Sequence, residues 1–444
     1  MLRSPNNPIE DPDPNSDWDA AEAGLGPVVL GVLSAVGYVL FYSLNIYLAR
    51  NLTREDFNDY NVGVSTLLLL ASIAPLGLEK LSLKIVPVHL HHGERAHLAG
   101  FLRFALLTTF AVSVAICLLV DSAVESALML NHLGSHFAIP MIVACLPILS
   151  VFSVLLESVT AAGAPVAAAA LYRVALPLLM IAANLLAWRL HGAASGATAS
   201  LSFLAAWLGV TLMMGWLLRL RLPRRTDQPV PHNGAPRYDA RAWLRESTPL
   251  LLHGLLMTAI AQSGVIVLEL SPNFHTDASV FAVAMQTGAF IVLFSTSANR
   301  FYLPRVALML KQNNRAGLAR LTRQRRLLFG TISAVFVAVV FVFARPLLRL
   351  HGPGFDQGYW ATCVIAVGAA ISTTFSLAPI GLQFSGRQQY VISRIALAAV
   401  VSIAACVVLA NWYGPVGAAA AYAGPLIALH LTLAHKAHAL LAEQ

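Results

Sequence analysis

Long apolar stretches alternate with short polar connections along almost the whole chain. Twelve of them approach the roughly 20 residues that a helix needs to cross a bilayer. Irregular backbone cannot face lipid, so each stretch is predicted to be helical, and internal prolines such as Pro75 and Pro177 predict kinked or cavity-lining helices. The pattern therefore predicts an all-α integral membrane protein with about 12 transmembrane helices. The stretches lie at about 28–49, 62–83, 99–120, 137–160, 165–188, 197–218, 248–269, 279–303, 327–349, 359–384, 389–411 and 416–436.

Composition agrees with this pattern. The 444 residues are 57% hydrophobic and only 11% charged, which leaves too little polar surface for a soluble fold of that size. The four cysteines stand singly inside apolar runs, so we interpret them as packing residues rather than disulfide or metal ligands.

Polar segments divide the chain into parts. Residues 1–26 combine acids and prolines without the apolar centre of a signal peptide, which predicts a disordered acidic cytoplasmic tail. Residues 219–246 are basic and contain Pro and Gly, as expected of a cytoplasmic linker. We interpret this linker as an orientation signal near anionic lipid, with a specific partner site as the alternative. Two lobes of six helices, 27–218 and 247–440, would flank it.

The basic residues indicate an orientation. With the N-terminus inside, all but five of the 29 lysines and arginines fall at the inner side, which predicts cytoplasmic N- and C-termini and a multi-pass protein of the cytoplasmic (inner) membrane. The net charge of +8 is then a topological signal, so no nucleic-acid partner is expected. The five exceptions are Arg50, Arg54, Arg189, Arg345 and Arg349.

The two halves resemble each other in sequence. "RAHLAGFLR" (95–103) and "RAGLARLTR" (315–323) agree at five positions with an offset of 220 residues, and the same offset places Lys80 on Arg300. "HGAASGA" (191–197) and "YGPVGAA" (413–419) match at an offset of 222. Because each half has an even number of spans, a parallel repeat about the membrane normal is predicted, as in transporters that bind substrate between two halves.

At this point the sequence resembles a known superfamily. The block 53–103, which contains "APLGLEKLSLKIVP", and the "YGPVGAAAAYAG" turn (413–424) look like the multidrug/oligosaccharidyl-lipid/polysaccharide (MOP) exporters, and within them the polysaccharide-biosynthesis flippases. The resemblance implies a V-shaped pair of six-helix lobes with alternating access. It implies transport of a lipid-linked (polyprenyl-diphosphate) oligosaccharide, with membrane lipids, a coupling cation or proton and polysaccharide assembly proteins as further partners. It carries no catalytic signature.

Other functions stay open. A cation-coupled multidrug exporter of the superfamily is expected to carry a carboxylate in its first span, and "VVLGVLSAVGYVLFYSLNIYLA" has none. A membrane-embedded glycan polymerase or glycosyltransferase usually needs a large extramembrane segment with acids and metal ligands, and the predicted outer connections are short. A structural or assembly role without transport is a further alternative. No phosphate-binding glycine loop of the P-loop type is present, so ATP hydrolysis is not expected. The leading prediction is a transporter that is not an enzyme and has no cofactor.

Cations at the inner ends of spans two and eight are the main candidates for substrate binding. Lys80 and Lys84 share one helix face, and Arg300 and Arg305 occupy the related end of span eight. A ring of these residues would attract a diphosphate, whereas the alternative is that they only orient the spans.

Two arginines are predicted to lie inside the membrane. Arg173 in span five and Arg394 in span eleven stand at similar depth and at related repeat positions, with an offset of 221. They are candidates for the cavity, with snorkelling to the interface as the alternative.

Acids and amides complete the candidate set. Glu79 could neutralise Lys80 or Arg300, and Glu157 is the other acid within a span; either could bind a coupling ion or balance charge. Sugar hydroxyls could be bound by membrane amides, although such groups more often join helices. These amides are Asn45, Asn184, Gln262, Gln286 and Gln383.

Four histidines, His89, His91, His92 and His97, cluster in one inner loop. Since no cysteine or well-spaced acid is recognisable beside them, no metal site is expected.

Overall fold

The computed structural model describes residues 20–91, 94–129, 138–192, 195–222, 238–312 and 315–442, and these residues form helices and short connections without a strand. The helices are α1 (Ala20–Asn51), α2 (Arg54–Ala71), α3 (Leu78–His91), α4 (Arg95–Met129), α5 (Ala138–Val143), α6 (Leu146–Ala161), α7 (Pro165–Ala170), α8 (Leu176–His191), α9 (Gly196–Arg221), α10 (Ala240–Glu269), α11 (Ala278–Gly288), α12 (Ile291–Lys311), α13 (Arg315–Arg349), α14 (Tyr359–Phe375), α15 (Leu377–Phe384) and α16 (Gln388–Ala442).

The second predicted span is two helices rather than one. Residues 72–77 interrupt it between α2 and α3, and Leu76 and Gly77 adopt positive φ angles of 54° and 76°. A Cβ atom on Gly77 would lie 2.4 Å from the carbonyl oxygen of Ser247 on α10. Glycine is therefore required both for the backbone conformation and for the approach of α10.

Other predicted spans are also interrupted. Span eight breaks at residues 289–290, span four at 144–145 and span ten at Ser376. Span five is continuous but contains a π-helical turn, Leu171–Ala175, between α7 and α8. A Cβ on Gly37 would lie 2.4 Å from the carbonyl oxygen of Arg173, so α1 packs directly on this turn. Hydropathy predicted that these stretches are helical but not where their helices break.

The last helix, α16, is a hairpin. Its backbone leaves helical geometry at Gly414, where φ is +56°. The hydroxyl of Ser402 donates to the carbonyl oxygen of Ala421 at 2.9 Å, which joins the two arms side by side. The turn lies between the predicted spans eleven and twelve.

Nine of the helical segments within the described residues are long and apolar enough to cross a membrane, with α16 counted once. The chain is therefore an all-α, multi-pass membrane protein. Helices α4 and α13 are both 35 residues long and begin at Arg95 and Arg315, at the repeat offset.

Each half of the chain contributes its own hydrophobic core. One core comes mainly from residues between Leu44 and Leu218, and another from residues between Ile260 and Leu433. Phe355 joins the first core and Val62 joins the second, so the halves also pack against each other.

Helices extend into the predicted tail and linker. Helix α1 begins at Ala20 and α10 at Ala240, so residues 20–26 and 240–246 are helical. Residues 1–19 and 223–237 lie outside the described part of the chain.

Candidate functional site

The interface between the halves has two ends. We call them the Arg54 end, which holds the start of α2, and the Lys84 end, which holds α3 and the start of α10. Arg54 forms an ion pair with Asp277 at 3.1 Å, and Arg50 donates to the carbonyl oxygen of Leu350 at 2.6 Å. Both contacts join the two halves at the Arg54 end.

Asn58 is the buried centre of this end. Its amide nitrogen donates to Glu269 at 2.5 Å, and its carbonyl oxygen accepts from the backbone N–H of Ser279 at 2.8 Å. Asn58 is 5% exposed, so one side chain of α2 connects both α10 and the start of α11 out of reach of water.

Aromatic rings extend these buried contacts between the halves, which we call the seal. Phe57 meets Phe355 edge to face at 5.8 Å, and Tyr42 meets the imidazole of His351 at 5.1 Å. His351 is fully buried, and burial lowers its pKa to about 4, assisted by the positive charge of Arg50. The backbone carbonyls of Leu347 and Leu348 oppose this shift without forming hydrogen bonds of normal geometry. His351 is therefore a neutral sealing residue.

The predicted sugar-binding amides have different environments. Asn45 donates to Gln286 across the halves at 2.8 Å, and Asn184 donates to the carbonyl oxygen of Met180 in its own helix. Gln383 lies 3.5 Å from the ring of His253, and Gln262 is half-buried. The first two amides thus have protein partners, as helix-joining amides do.

Lys80 lies at the junction of α3, α6 and α10. Its ammonium pairs with Glu157, whose side chain is only 10% exposed, while its own side chain is 51% exposed. The ammonium also lies within electrostatic range of His253. The predicted partner Glu79 instead has one buried carboxylate oxygen without a hydrogen bond, and its charge interacts with both Lys80 and Glu157.

Lys84 is linked to the second half. Its ammonium lies 2.7 Å from Glu246 on α10, and the two side chains are 71% and 45% exposed. Arg300 and Arg305 lie on α12, but their side chains fall outside the described part of the structure. The cationic ring accordingly remains a prediction. Its two lysines are described, and each pairs with a carboxylate.

The two repeat-related arginines are not equivalent. Each guanidinium lies beside a tyrosine ring, 5.1 Å from Tyr172 for Arg173 and 5.0 Å from Tyr390 for Arg394, but Arg173 is half-buried. Arg394 is exposed on a face that it shares with the exposed Leu397 and Val401. This face is typical of lipid contact, which favours the snorkelling interpretation for Arg394 alone.

Arg325 is a buried cation that the sequence did not single out. It is 1% exposed, and its guanidinium donates to Asn299 at 2.5 Å and to Ser376 at 2.8 Å. The ring of Phe329 covers it at 4.5 Å, and it forms no ion pair within the described residues. Its position ten residues into α13 was the available signal, but its arginine neighbours suggested a topological charge.

The histidine loop also differs from the expectation. The Nδ1 atom of His89 lies 2.7 Å from a carboxylate oxygen of Glu94, and the Nδ1 atom of His97 lies 3.6 Å from the same oxygen. An acid therefore does complete a group with the geometry of metal ligands. The side chains of His91 and His92 lie outside the described part.

An apolar cleft separates α1 from α12. Gly31, Ser34 and Ala35 line one wall, and Phe290, Leu293 and Phe294 line the other. The walls come from different halves of the chain, and Phe294 is 42% exposed.

Comparison with known proteins identifies the family. The family model described as "Polysaccharide biosynthesis protein" matches residues 26–273, more than half of the chain. A search of curated proteins finds no match.

Solved structures share the fold. The inward-facing conformation of a multidrug resistance MATE family transporter of the MOP superfamily has a TM-score of 0.76 at 12% identity, covering 94% of this chain and 98% of that one. An outward-facing conformation of such a transporter has a TM-score of 0.67 at 12% identity, with coverage of 94% and 95%. A MOP superfamily transporter from Pyrococcus furiosus, described as having a binding pocket of reverse polarity, has a TM-score of 0.68 at 13% identity, covering 94% and 95%.

Proposed function

Because the chain belongs to the polysaccharide biosynthesis protein family and is a membrane transporter of the MOP superfamily, we propose that it flips a lipid-linked, polyprenyl-diphosphate oligosaccharide across the cytoplasmic membrane. The proposed substrate has three parts, a diphosphate, a glycan and a long apolar chain. Each part has a candidate contact surface at or near the interface between the halves.

The polar group at the Lys84 end carries this proposal. Lys80 from the first half lies within electrostatic range of His253 in the second half, and the ring of His253 lies 3.5 Å from Gln383. All three side chains are partly exposed. A lysine supplies a point charge for phosphate, and an amide supplies a donor and an acceptor for sugar hydroxyls. Phosphate would compete with Glu157 for Lys80.

The apolar cleft between α1 and α12 is narrow in this structure, so it would have to widen to form a path for the lipid. Its lining is apolar apart from Ser34, and its walls belong to opposite halves. A polyprenyl chain could therefore stay in an apolar environment while its diphosphate enters the interface.

We propose that residues 27–218 and 247–440 act as two lobes that rock against each other, with the Arg54 end outside and the Lys84 end facing the cytoplasm. Separate hydrophobic cores and the repeated order of helices support two rigid units. The buried contacts of the Arg54 end, together with the greater similarity to an inward-facing structure, support an inward-facing state.

Flipping can be measured with purified protein in liposomes that contain a polyprenyl-diphosphate oligosaccharide, by adding a glycosidase outside the vesicles. Lys80→Ala removes one charge-assisted contact, which contributes about 1.5–3 kcal/mol. The flipping rate of this variant should therefore be roughly 10-fold or more below that of wild type. Lys80→Arg should stay close to wild type because charge is retained, and Arg300→Glu should be slowest.

Arg323→Ala is the matched control, since Arg323 is an exposed cation of α13 at the same end of the bundle. A topological role for Lys80 and Arg300 would make all these substitutions equally mild. Equal flipping rates for wild type and Arg300→Glu would exclude the phosphate-binding role.

A cation-coupled exporter of small molecules is the second candidate. The observation in its favour is the buried oxygen of Glu79 beside Glu157, which could take a proton or cation. The same liposomes test it: Glu79→Gln should abolish cation-driven uptake of an organic dye if this candidate holds. Dye transport without flipping would replace the flippase proposal.

A further inference from the structure

The turn between α3 and α4 gathers three side chains that bind metals. His89 stands in the last turn of α3, Glu94 just before α4 and His97 in the first turn of α4. One atom from each, a ring nitrogen or a carboxylate oxygen, lies within 4.8 Å of the other two. We propose that this turn is a binding site for Zn²⁺, which is independent of the proposed substrate.

The backbone holds the ligands in place. The N–H of Glu94 donates to the carbonyl oxygen of His89 at 2.9 Å, and the N–H of Leu98 donates to the carbonyl oxygen of Glu94 at 3.1 Å. The first bond closes the turn and the second begins α4. The three ligands are therefore fixed by helix ends rather than by a free loop.

The side chains converge on one point. The rings of His89 and His97 stack at 5.4 Å with an angle of 15° between them, and both Nδ1 atoms face the same oxygen of Glu94. Zn²⁺ about 2.1 Å from each of two tetrahedral ligands sets those ligands about 3.4 Å apart. The present nitrogen–oxygen separations of 2.7 and 3.6 Å lie on either side of this value, and the ring nitrogens lie within 4.8 Å of each other, so side-chain rotation has to complete the site around the ion.

The donor set favours zinc over harder cations. Two imidazole nitrogens and one carboxylate oxygen are ligands of Zn²⁺, whereas Ca²⁺ and Mg²⁺ prefer sites made only of oxygen. The three side chains are between 20% and 48% exposed, so an ion and a water ligand can reach them.

The position of the site gives it a consequence. Lys84, which pairs with Glu246 of α10, precedes His89 on the same helix. Zinc would join the end of α3 to the start of α4 and restrain the helix that carries this link. Binding should therefore slow backbone hydrogen exchange between residues 85 and 98.

Zinc binding can be measured by equilibrium dialysis and elemental analysis of the full-length protein, purified in detergent with a tag that contains no histidine. Wild type should bind about one equivalent with micromolar or tighter affinity. His97→Ala should lose that equivalent, and Glu94→Gln should bind at least 10-fold more weakly.

His435→Ala is the control, because His435 is an exposed histidine of α16 and should leave binding unchanged. Melting temperatures without metal should agree among all variants, which separates ligand loss from misfolding. The proposal fails if wild type binds no zinc below about 100 µM, or if His97→Ala retains wild-type affinity. A preference for Ni²⁺ or Cu²⁺ with no zinc bound would overturn the assignment of the metal.

Discussion

The Arg54 end and the Lys84 end of the interface use different contacts. At the Arg54 end, Asn58 and His351 are buried against the opposite half, and hydrogen bonds and aromatic rings exclude water. At the Lys84 end, the ion pair of Lys84 and Glu246 is exposed and Lys80 is half-exposed, although Trp243 of α10 is buried against Phe101 and Phe104 of α4.

The difference indicates which end opens at low energetic cost. Exposed ion pairs contribute about 0–1 kcal/mol, whereas a buried polar group that loses its partner costs about 1–3 kcal/mol. The polar contacts of the Lys84 end therefore cost less to break than those of the Arg54 end, although opening the Lys84 end would also expose Trp243.

The largest expected effect is on the seal at low pH. His351 has a pKa of about 4 in the closed seal and should return to about 6.5 when exposed. Protonation then favours the open state, so closure is most stable above pH 6.5 and weakens as the pH falls towards 4. The free energy that favours the closed state should fall by about 3 kcal/mol between neutral pH and pH 4. Spin-label distances between Thr53→Cys and Thr276→Cys measure it.

His351→Leu is the control for this effect. Leucine fills a similar volume and does not titrate. The charged residues Arg50, Arg54, Arg349 and Asp356 remain nearby in this variant. The distances in this variant should change little between pH 7 and 4. An unchanged pH dependence would assign the effect to other groups.

A second substitution should open the same end at neutral pH. Asn58→Asp places a carboxylate where an amide now donates to Glu269, so repulsion replaces a hydrogen bond. The cost to the closed state should be about 2 kcal/mol, seen as a longer distance between the same labels.

Asn61→Asp provides the comparison on the same helix. The side chain of Asn61 donates to the carbonyl oxygen of Phe57 within α2, so no charge approaches the second half. The label distances should match wild type, and equal opening by both variants would contradict the role of Asn58.

A smaller effect is expected from Lys80 and Glu157. A double-mutant cycle with Lys80→Met and Glu157→Gln should give a coupling energy of about 1 kcal/mol, because one partner is buried and the other hydrated. Thermal unfolding in detergent measures it. A coupling above about 3 kcal/mol would show that this end is as dry as the other.

The smallest effect is expected from Lys84 and Glu246. The same cycle with Lys84→Met and Glu246→Gln should give less than about 0.5 kcal/mol, because both side chains are largely exposed. High salt should reduce even this value. A coupling as large as that of Lys80 and Glu157 would contradict the comparison of the two ends.

Local sequence was sufficient to predict an all-α membrane protein, although nine candidate spans, rather than the predicted twelve, are found within the described residues. Hydropathy is a local property, so the apolar stretches and their helical state could be identified directly. Pro75 predicted a kink in span two, but the break at 72–77 also depends on Gly77 and on the approach of Ser247.

Contacts between helices were less predictable. Glu79 is adjacent to Lys80 in sequence, yet Lys80 pairs with Glu157 on another helix. Side-chain pairing depends on how packed helices are rotated about their axes. Arg325 was missed for the same reason, since only packing shows which arginine of a basic run is buried. Glu94 was missed because a turn, rather than helical spacing, brings it to His89 and His97.

The contact between Gly77 and Ser247 sets how far each end of the interface moves in the proposed rocking motion. Backbone meets backbone there with no side chain between, so the contact can hardly be compressed, and on the proposed rocking motion it would serve as the fulcrum. The arm formed by α2 is about 27 Å long and that formed by α3 about 21 Å, at 1.5 Å per residue. On the proposed rocking motion, the Lys84 end then moves about 0.8 times as far as the Arg54 end. A larger residue at 77 would shift the fulcrum itself, and so change both ends at once.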